Sequence, residues 1–326
     1  MVIPYYWAEA RLQHKTPSRQ ITVQRWGWSD ISQEDAQLLA DQRAQEAMTR
    51  IESGEKLRRR EPKAAYDCVD NVPIREEVVS QHGNAVITRN SYGSLCLNTP
   101  DVFFADVDAS PQGMLQMSLR GCLLLVVLGV VTGILTKSVM AGLGLVIGLP
   151  WLASAIMGQI NKQRLSRAEA QAKEEALTAI EAFSTGRPAW YLRVYETPAG
   201  YRLLAMHDLF DPAGDAAKEA LEALNADKRF VRLCAVQGCF RARVSPKYWR
   251  MKYKVPLSLP KSKWPFPKEH VPLRQQWIEA YDQRSPKYAS CRFIKDLGSG
   301  IVHPEAEAVR AVHDAYCRAQ SDLPLA

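Results

Sequence analysis

The sequence predicts an α+β protein. Its expected core is a ferredoxin-like βαββαβ unit in the cytoplasm, split by a two-helix transmembrane hairpin and preceded by an N-terminal β-hairpin and helix extension. Three observations predict this. From Gly121 to Ile160 the chain carries one charge, Lys137. On either side of that run, short alternating segments read as strands and charged amphipathic segments as helices. With the apolar run removed, the order becomes strand 102–108, helix 161–184, strand 189–196, strand 201–207, helix 212–225, strand 229–236, which is the split βαβ arrangement.

The elements follow in order. Residues 3–11 and 19–26 alternate as strands about the turn Lys15-Thr16-Pro17-Ser18. Ser32 is an N-cap for a helix ending near Glu52. The charged stretch KLRRREPK reads as a solvated loop, and Pro73 as the start of a short helix, PIREEVVSQHG. NAVITRN and SLCLNT read as strands, and DVFFADVDAS as an apolar strand ending in acids. The domain plan is an extension over 1–100, a first core strand over 101–110, the hairpin over 119–159 and the rest of the core over 161–240. A basic, proline-rich arm and a last helix fill 241–326.

The apolar run is about twice what one spanning helix needs. Gly129 with Gly133, and Gly144 with Gly148, give each half a small-residue pair suited to close helix packing in lipid. Arg120 precedes the run and Lys162, Arg164 and Arg167 follow it. Cations on both flanks place both termini in the cytoplasm, so the expected location is the inner (cytoplasmic) membrane, multi-pass, with the lipid bilayer as a partner. The N-terminus lacks the charged-then-apolar order of a secretory signal.

Bulk composition bounds the partners. A net charge of +7 and a pI near 9.0 favour anions: nucleic acid, nucleotides or anionic lipid. Seven cysteines without paired spacing argue against a disulfide framework. Walker, HExxH, GxSxG and GxGxxG patterns do not occur.

Three places carry candidate chemistry. Asp106 and Asp108 end a strand two residues apart, so both carboxylates point to one face. Such a pair can hold magnesium or manganese with substrate phosphates; the alternative is a solvated strand end. His207, near Arg202 at the end of a later strand, can contact phosphate or orient a base; the alternative is a structural histidine. Residues 228–274 hold 13 Lys and Arg against one acid, Glu269, with seven aromatics and six prolines interleaved. Arg241, Arg243, Lys247, Trp249 and Arg250 lead that arm. Cations and rings suit either single-stranded nucleic acid or anionic lipid headgroups. Asp296, in RFIKDLGSG, is a candidate third acid. Cys234, Cys239, Cys291 and His303 have poor spacing for zinc.

The order of DVD, then Ala205-Met206-His207, then Asp296 resembles the three-motif layout of archaeo-eukaryotic primases. That resemblance implies metal at Asp106 and Asp108, nucleotide contact at His207 and a completing acid at Asp296. An insertion between the first two motifs departs from the family form. The chain also looks like bacterial transmembrane proteins carrying RWGWSD and CFRARVSPKYWR-type stretches, a resemblance that implies no activity. Two functions follow as expectations. One is a membrane-anchored scaffold or partner-binding protein without catalysis. The other is a membrane-tethered, divalent-metal-dependent enzyme of nucleotides or nucleic acid, primase- or palm-like, working by nucleotidyl or phosphoryl transfer.

Overall fold

Alternation in the N-terminal segment gives a two-stranded antiparallel ribbon, β1 (Tyr6–Lys15) and β2 (Gln20–Ser29), registered from Tyr6↔Ser29 to Lys15↔Gln20. Helix α1 (Gln33–Glu52) starts at Ser32, whose side chain accepts from the Asp35 amide. Its buried stripe, Ala36, Ala40 and Ala44, lies on Ala8 and Ala10. Farther along, Ala47, Met48 and Ile51 pack on Ile21 and Val23. Small side chains on the helix let it come very close to β2. At Gly27 a Cβ would sit 2.2 Å from the Ala36 carbonyl oxygen and the Ala40 nitrogen.

The computed structural model describes residues 1–15, 20–61, 72–109, 139–255 and 264–326, with a few positions between 127 and 137. The chain divides into two compact units, one of Met1–Asp108 with Ala179–Ala326, the other of Ala109–Thr178. Besides the ribbon, the first unit holds two four-stranded antiparallel sheets. One has the order β3 (Glu77–His82), β4 (Ala85–Arg89), β5 (Leu95–Thr99), β9 (Phe240–Arg243). The other runs β10 (Arg292–Gly298), β7 (Tyr191–Thr197), β8 (Gly200–Ala205), β6 (Phe104–Asp108). Every residue of β8 is buried, and Phe103, Phe104, Leu192, Tyr195, Leu203, Leu204 and Phe240 are among the largest fully buried side chains.

Several expectations are corrected. Among the described residues, no helix is long and apolar enough to cross a membrane. The expected transmembrane hairpin over 119–159 is therefore overturned, and with it the multi-pass inner-membrane location. Helical residues precede a turn at Lys137, and one helix, α2 (Val139–Thr185), then runs 47 residues without a break at the expected 160/161 boundary. Residues 110–126 lie outside the described part.

The ferredoxin-like core is also incomplete. RFVRLCAV, expected as its fourth strand, lies in helix α4 (Lys228–Gln237), which follows α3 (Asp215–Ala223). Its ends explain the difference: Asp227 accepts from the Arg229 amide, and Gly238 closes the helix with φ +57°. Leu233 and Cys234 are the residues of this helix that are buried. The strand that completes the β6 sheet is β10, from near the C-terminus, and it joins at β7. PIREEVVSQHG, expected as a helix, supplies β3, which turns at Gly83-Asn84 into β4. Nor is the basic stretch an extended arm where it is described. It begins in α4, continues as β9, turns through Tyr248–Lys252, and packs Met251 against Trp277 and Tyr281 of α5 (Val271–Arg284). Residues 256–263 lie outside the described part. The last helix is α6 (Pro304–Cys317).

Candidate functional site: a cationic, aromatic-walled cleft

Pairing of β6 with β8 sets Asp106 opposite Arg202 and Asp108 opposite Gly200. The guanidinium reaches straight across, Nε to Oδ1 at 2.7 Å and Nη2 to Oδ2 at 3.0 Å. Arg202 Nη1 donates to the carbonyl of Arg243 on β9, 2.7 Å away. One buried arginine thus fastens the edge of one sheet to the edge of the other. The two edges and the loops above them enclose a cleft of about 820 Å³, within the range that takes a small organic ligand.

Four cations of the basic stretch line this cleft: Arg241, Arg243, Lys247 and Arg250. Arg241 and Arg243 alternate on β9 and so share a face. Arg241 Nη2 donates to Glu76 Oε2 at 2.5 Å, and that oxygen also accepts from Thr88 Oγ1. Arg241 Nη1 and Arg243 Nε are buried and have no hydrogen-bond partner among the described residues. Gln237 Oε1 and Ser290 Oγ, also at the cleft, are in the same condition. Buried polar atoms normally find partners, so these four atoms stand out as unsatisfied beneath the cleft wall.

Burial and then the neighbouring Arg243 and Arg250 cations push the Lys247 ammonium down to about 8. Burial also lowers Arg250, again with Arg243 beside it. Cations crowded enough to depress one another mark a place that favours an anion. On the acidic side, burial alone would raise the Asp106 carboxyl. The Arg202 guanidinium more than offsets this and holds it below the ordinary carboxylate range. Asp108 is pushed up, first by burial and then by the Asp106 charge.

Aromatic rings form the rest of the wall. Tyr92 stacks on Tyr248 with ring centres 6.4 Å apart, and Tyr248 meets Trp249 edge-on at 4.9 Å. Trp249 is 52% exposed, and the Lys247 ammonium lies 5.4 Å from its ring. Arg274 of α5 donates to the carbonyls of Asn90 and Ser91, both at 2.9 Å, and so fixes the turn that carries Tyr92.

The site residues expected from sequence separate into two groups. Asp106, Asp108, Arg202, Arg241, Arg243, Lys247, Trp249 and Arg250 all line the cleft. His207 does not. It lies five residues past Arg202, about 17 Å along an extended chain, with its ring against Trp190 and Phe210. Burial lowers its pKa. Asp296 is on β10, with β7 and β8 between it and β6, and pairs with Arg193 at 3.4 Å. Asp106 and Asp108 are thus brought together, and the histidine and third acid of the primase-like layout lie elsewhere.

Tyr248 is one of the seven aromatics interleaved in the basic stretch, whereas Tyr92, Gln237, Ser290 and the positioning Arg274 were not singled out from sequence. Gln237 and Arg274 lie within that stretch but carry no distinguishing local signal; Tyr92 and Ser290 arrive from distant segments. Of the expected thiol set, Cys291 meets His313 and Cys317 of α6, while His303 caps that helix by accepting from the Glu305 amide. No family model, curated protein or solved structure matches the chain.

Proposed function

We propose that the cleft binds a nucleotide-sized ligand bearing phosphate and an aromatic ring, in a non-catalytic, ligand- or partner-binding role. The observation that carries this reading is the crowding of Arg241, Arg243, Lys247 and Arg250 along one wall of the cleft, close enough that Arg243 and Arg250 add to burial in lowering the Lys247 ammonium. Guanidinium groups suit phosphate because their donors are fixed in a planar fork. The Tyr92, Tyr248 and Trp249 rings supply stacking surface for a base. A volume of about 820 Å³ suits a mono- or dinucleotide.

Metal-assisted nucleotidyl transfer at Asp106 and Asp108 is the less favoured reading. Magnesium draws directly on carboxylate oxygens at about 2.1 Å, and both Asp106 oxygens already accept from Arg202. Releasing that carboxylate would leave Arg202 buried and unpaired.

Thermal-shift measurements with a panel test the proposal: nucleoside triphosphates, nucleosides, inorganic phosphate and short single-stranded DNA. Nucleotides are expected to raise the unfolding temperature most, nucleosides least. A panel that leaves the midpoint unchanged at millimolar concentration would overturn it.

A further inference from the structure

Behind Arg202, away from the ligands assigned to the cleft, lies a cluster the binding reading does not use. Cys291 immediately precedes β10. His313 and Cys317 stand four residues apart on α6, which places them on one helix face. All three are fully buried. Their ligand atoms lie within 4.8 Å of one another. His313 Nε2 is 3.8 Å from Cys291 Sγ and 3.5 Å from Cys317 Sγ.

We infer that Cys291, His313 and Cys317 form a binding site for a thiophilic divalent cation of the zinc class. Tetrahedral zinc, with bonds of about 2.3 Å to sulfur and about 2.0 Å to nitrogen, sets its sulfur and nitrogen ligands about 3.5 Å apart. The His313–Cys317 separation matches that value, and the His313–Cys291 separation is slightly longer.

The surroundings point the same way. His313 Nδ1 lies 3.0 Å from Asp314 Oδ1. A proton held between them leaves the Nε2 lone pair on the side of the two sulfurs, where Arg202 Nη1 also lies 3.5 Å away. This carboxylate–imidazole pairing is the usual outer partner of a metal-bound histidine. Asp314 is in turn fixed by Arg310 at 3.1 Å and Arg193 at 3.4 Å. The rings of Phe104 and Tyr195 pack on the imidazole with centres 5.4 and 4.7 Å away, and close the site to solvent.

Charge balance permits a cation. Two thiolates and a dication sum to zero. Arg202, whose Nη1 is 3.5 Å from His313 Nε2, already has its charge compensated by Asp106. Soft sulfur ligands select zinc and its neighbours over magnesium or manganese. Three protein ligands leave one of the four coordination positions open. The bound ion would tie α6 to the start of β10 and stiffen the wall against which Arg202 rests.

The test uses the full chain, purified under reducing conditions without added chelator. Zinc is quantified per chain, and the protein is then loaded with cobalt(II). About one zinc per chain is expected, and the cobalt form is expected to show thiolate-to-cobalt charge transfer with intense tetrahedral visible bands. Cys317→Ser is expected to lose most of the metal, while Cys234→Ala, a buried thiol outside the cluster, keeps it. Because the cobalt spectrum is read on the unaltered protein, a misfolded variant does not blunt the test. Folded, reduced protein that holds no zinc and gives no charge-transfer band would overturn the inference. So would isolation of the chain with Cys291 and Cys317 joined as a disulfide that does not reopen to metal.

Discussion

Arg202 grips Asp106 through both carboxylate oxygens, at 2.7 and 3.0 Å, across the β6–β8 pair, while its third nitrogen holds the Arg243 carbonyl on the neighbouring sheet. Arg202 is 4% exposed. Removing its partner leaves a buried cation uncompensated. Asp106→Ala is therefore expected to destabilise the fold by about 2–3 kcal/mol, at the lower end for a buried pair because Asp106 is half open to the cleft. Urea denaturation measures it. A double variant that also replaces Arg202 by methionine is expected to be less unstable than the two single losses added together.

Gly27 is where α1 presses on the ribbon, with no room for a methyl group against Ala36 and Ala40. Gly27→Ala is expected to cost about 1–3 kcal/mol through overpacking, read as a lower thermal midpoint. An unchanged midpoint would mean that the helix does not lie this close.

The charge on Lys247 gives the site a pH dependence. Its pKa falls from the ordinary lysine value of 10.5 to about 8 in the folded protein. Between these values the unfolded chain binds more protons than the folded one. Stability from this group is thus lost as pH falls through about 8 and is fully present above 10.5. Anion binding runs the other way, since it uses the charged form. Affinity for a nucleotide is expected to drop as pH rises from 7 to 9, and to stay nearly flat in Lys247→Gln. Equilibrium binding over that pH series decides it.

The aromatic wall has its own signature. Trp249→Ala is expected to weaken nucleotide binding by about 1–3 kcal/mol, the contribution of one stacked base, while leaving its salt dependence intact. Replacing Arg243 and Lys247 by glutamine is expected to flatten that salt dependence. Equal effects of both changes on the salt slope would remove the division of labour between rings and cations.

How much of this could be read from sequence depends on distance along the chain. The Ser32 cap and the helix to Glu52 rest on adjacent residues, and both are legible there. Asp106 and Asp108 share a face because strand geometry dictates it, and Arg241, Arg243, Lys247 and Arg250 cluster because they fall within ten residues of one another. RFVRLCAV misleads because its aromatic and β-branched residues suggest a strand, while the deciding signals, Asp227 and Gly238, lie just outside it. PIREEVVSQHG misleads similarly. Pro73 and the glutamates suggest a helix, and pairing with β4 decides otherwise. The apolar run from Gly121 reads as lipid-embedded by composition, yet no described helix meets the length and apolarity a crossing needs. His313 and Cys317 show their i, i+4 spacing in the sequence, but nothing there announces Cys291 as their neighbour. Tyr92 and Arg274 are joined only by the fold, 182 residues apart by their numbering.

Calorimetric titration of a nucleoside triphosphate into the intact chain tests the central claim most directly. Saturable one-to-one binding is expected, weakened at least tenfold, or about 1.4 kcal/mol, in the Arg243→Gln, Lys247→Gln double variant. Absence of binding in the parent protein, or equal affinity in a folded double variant, would contradict the assignment of the cleft.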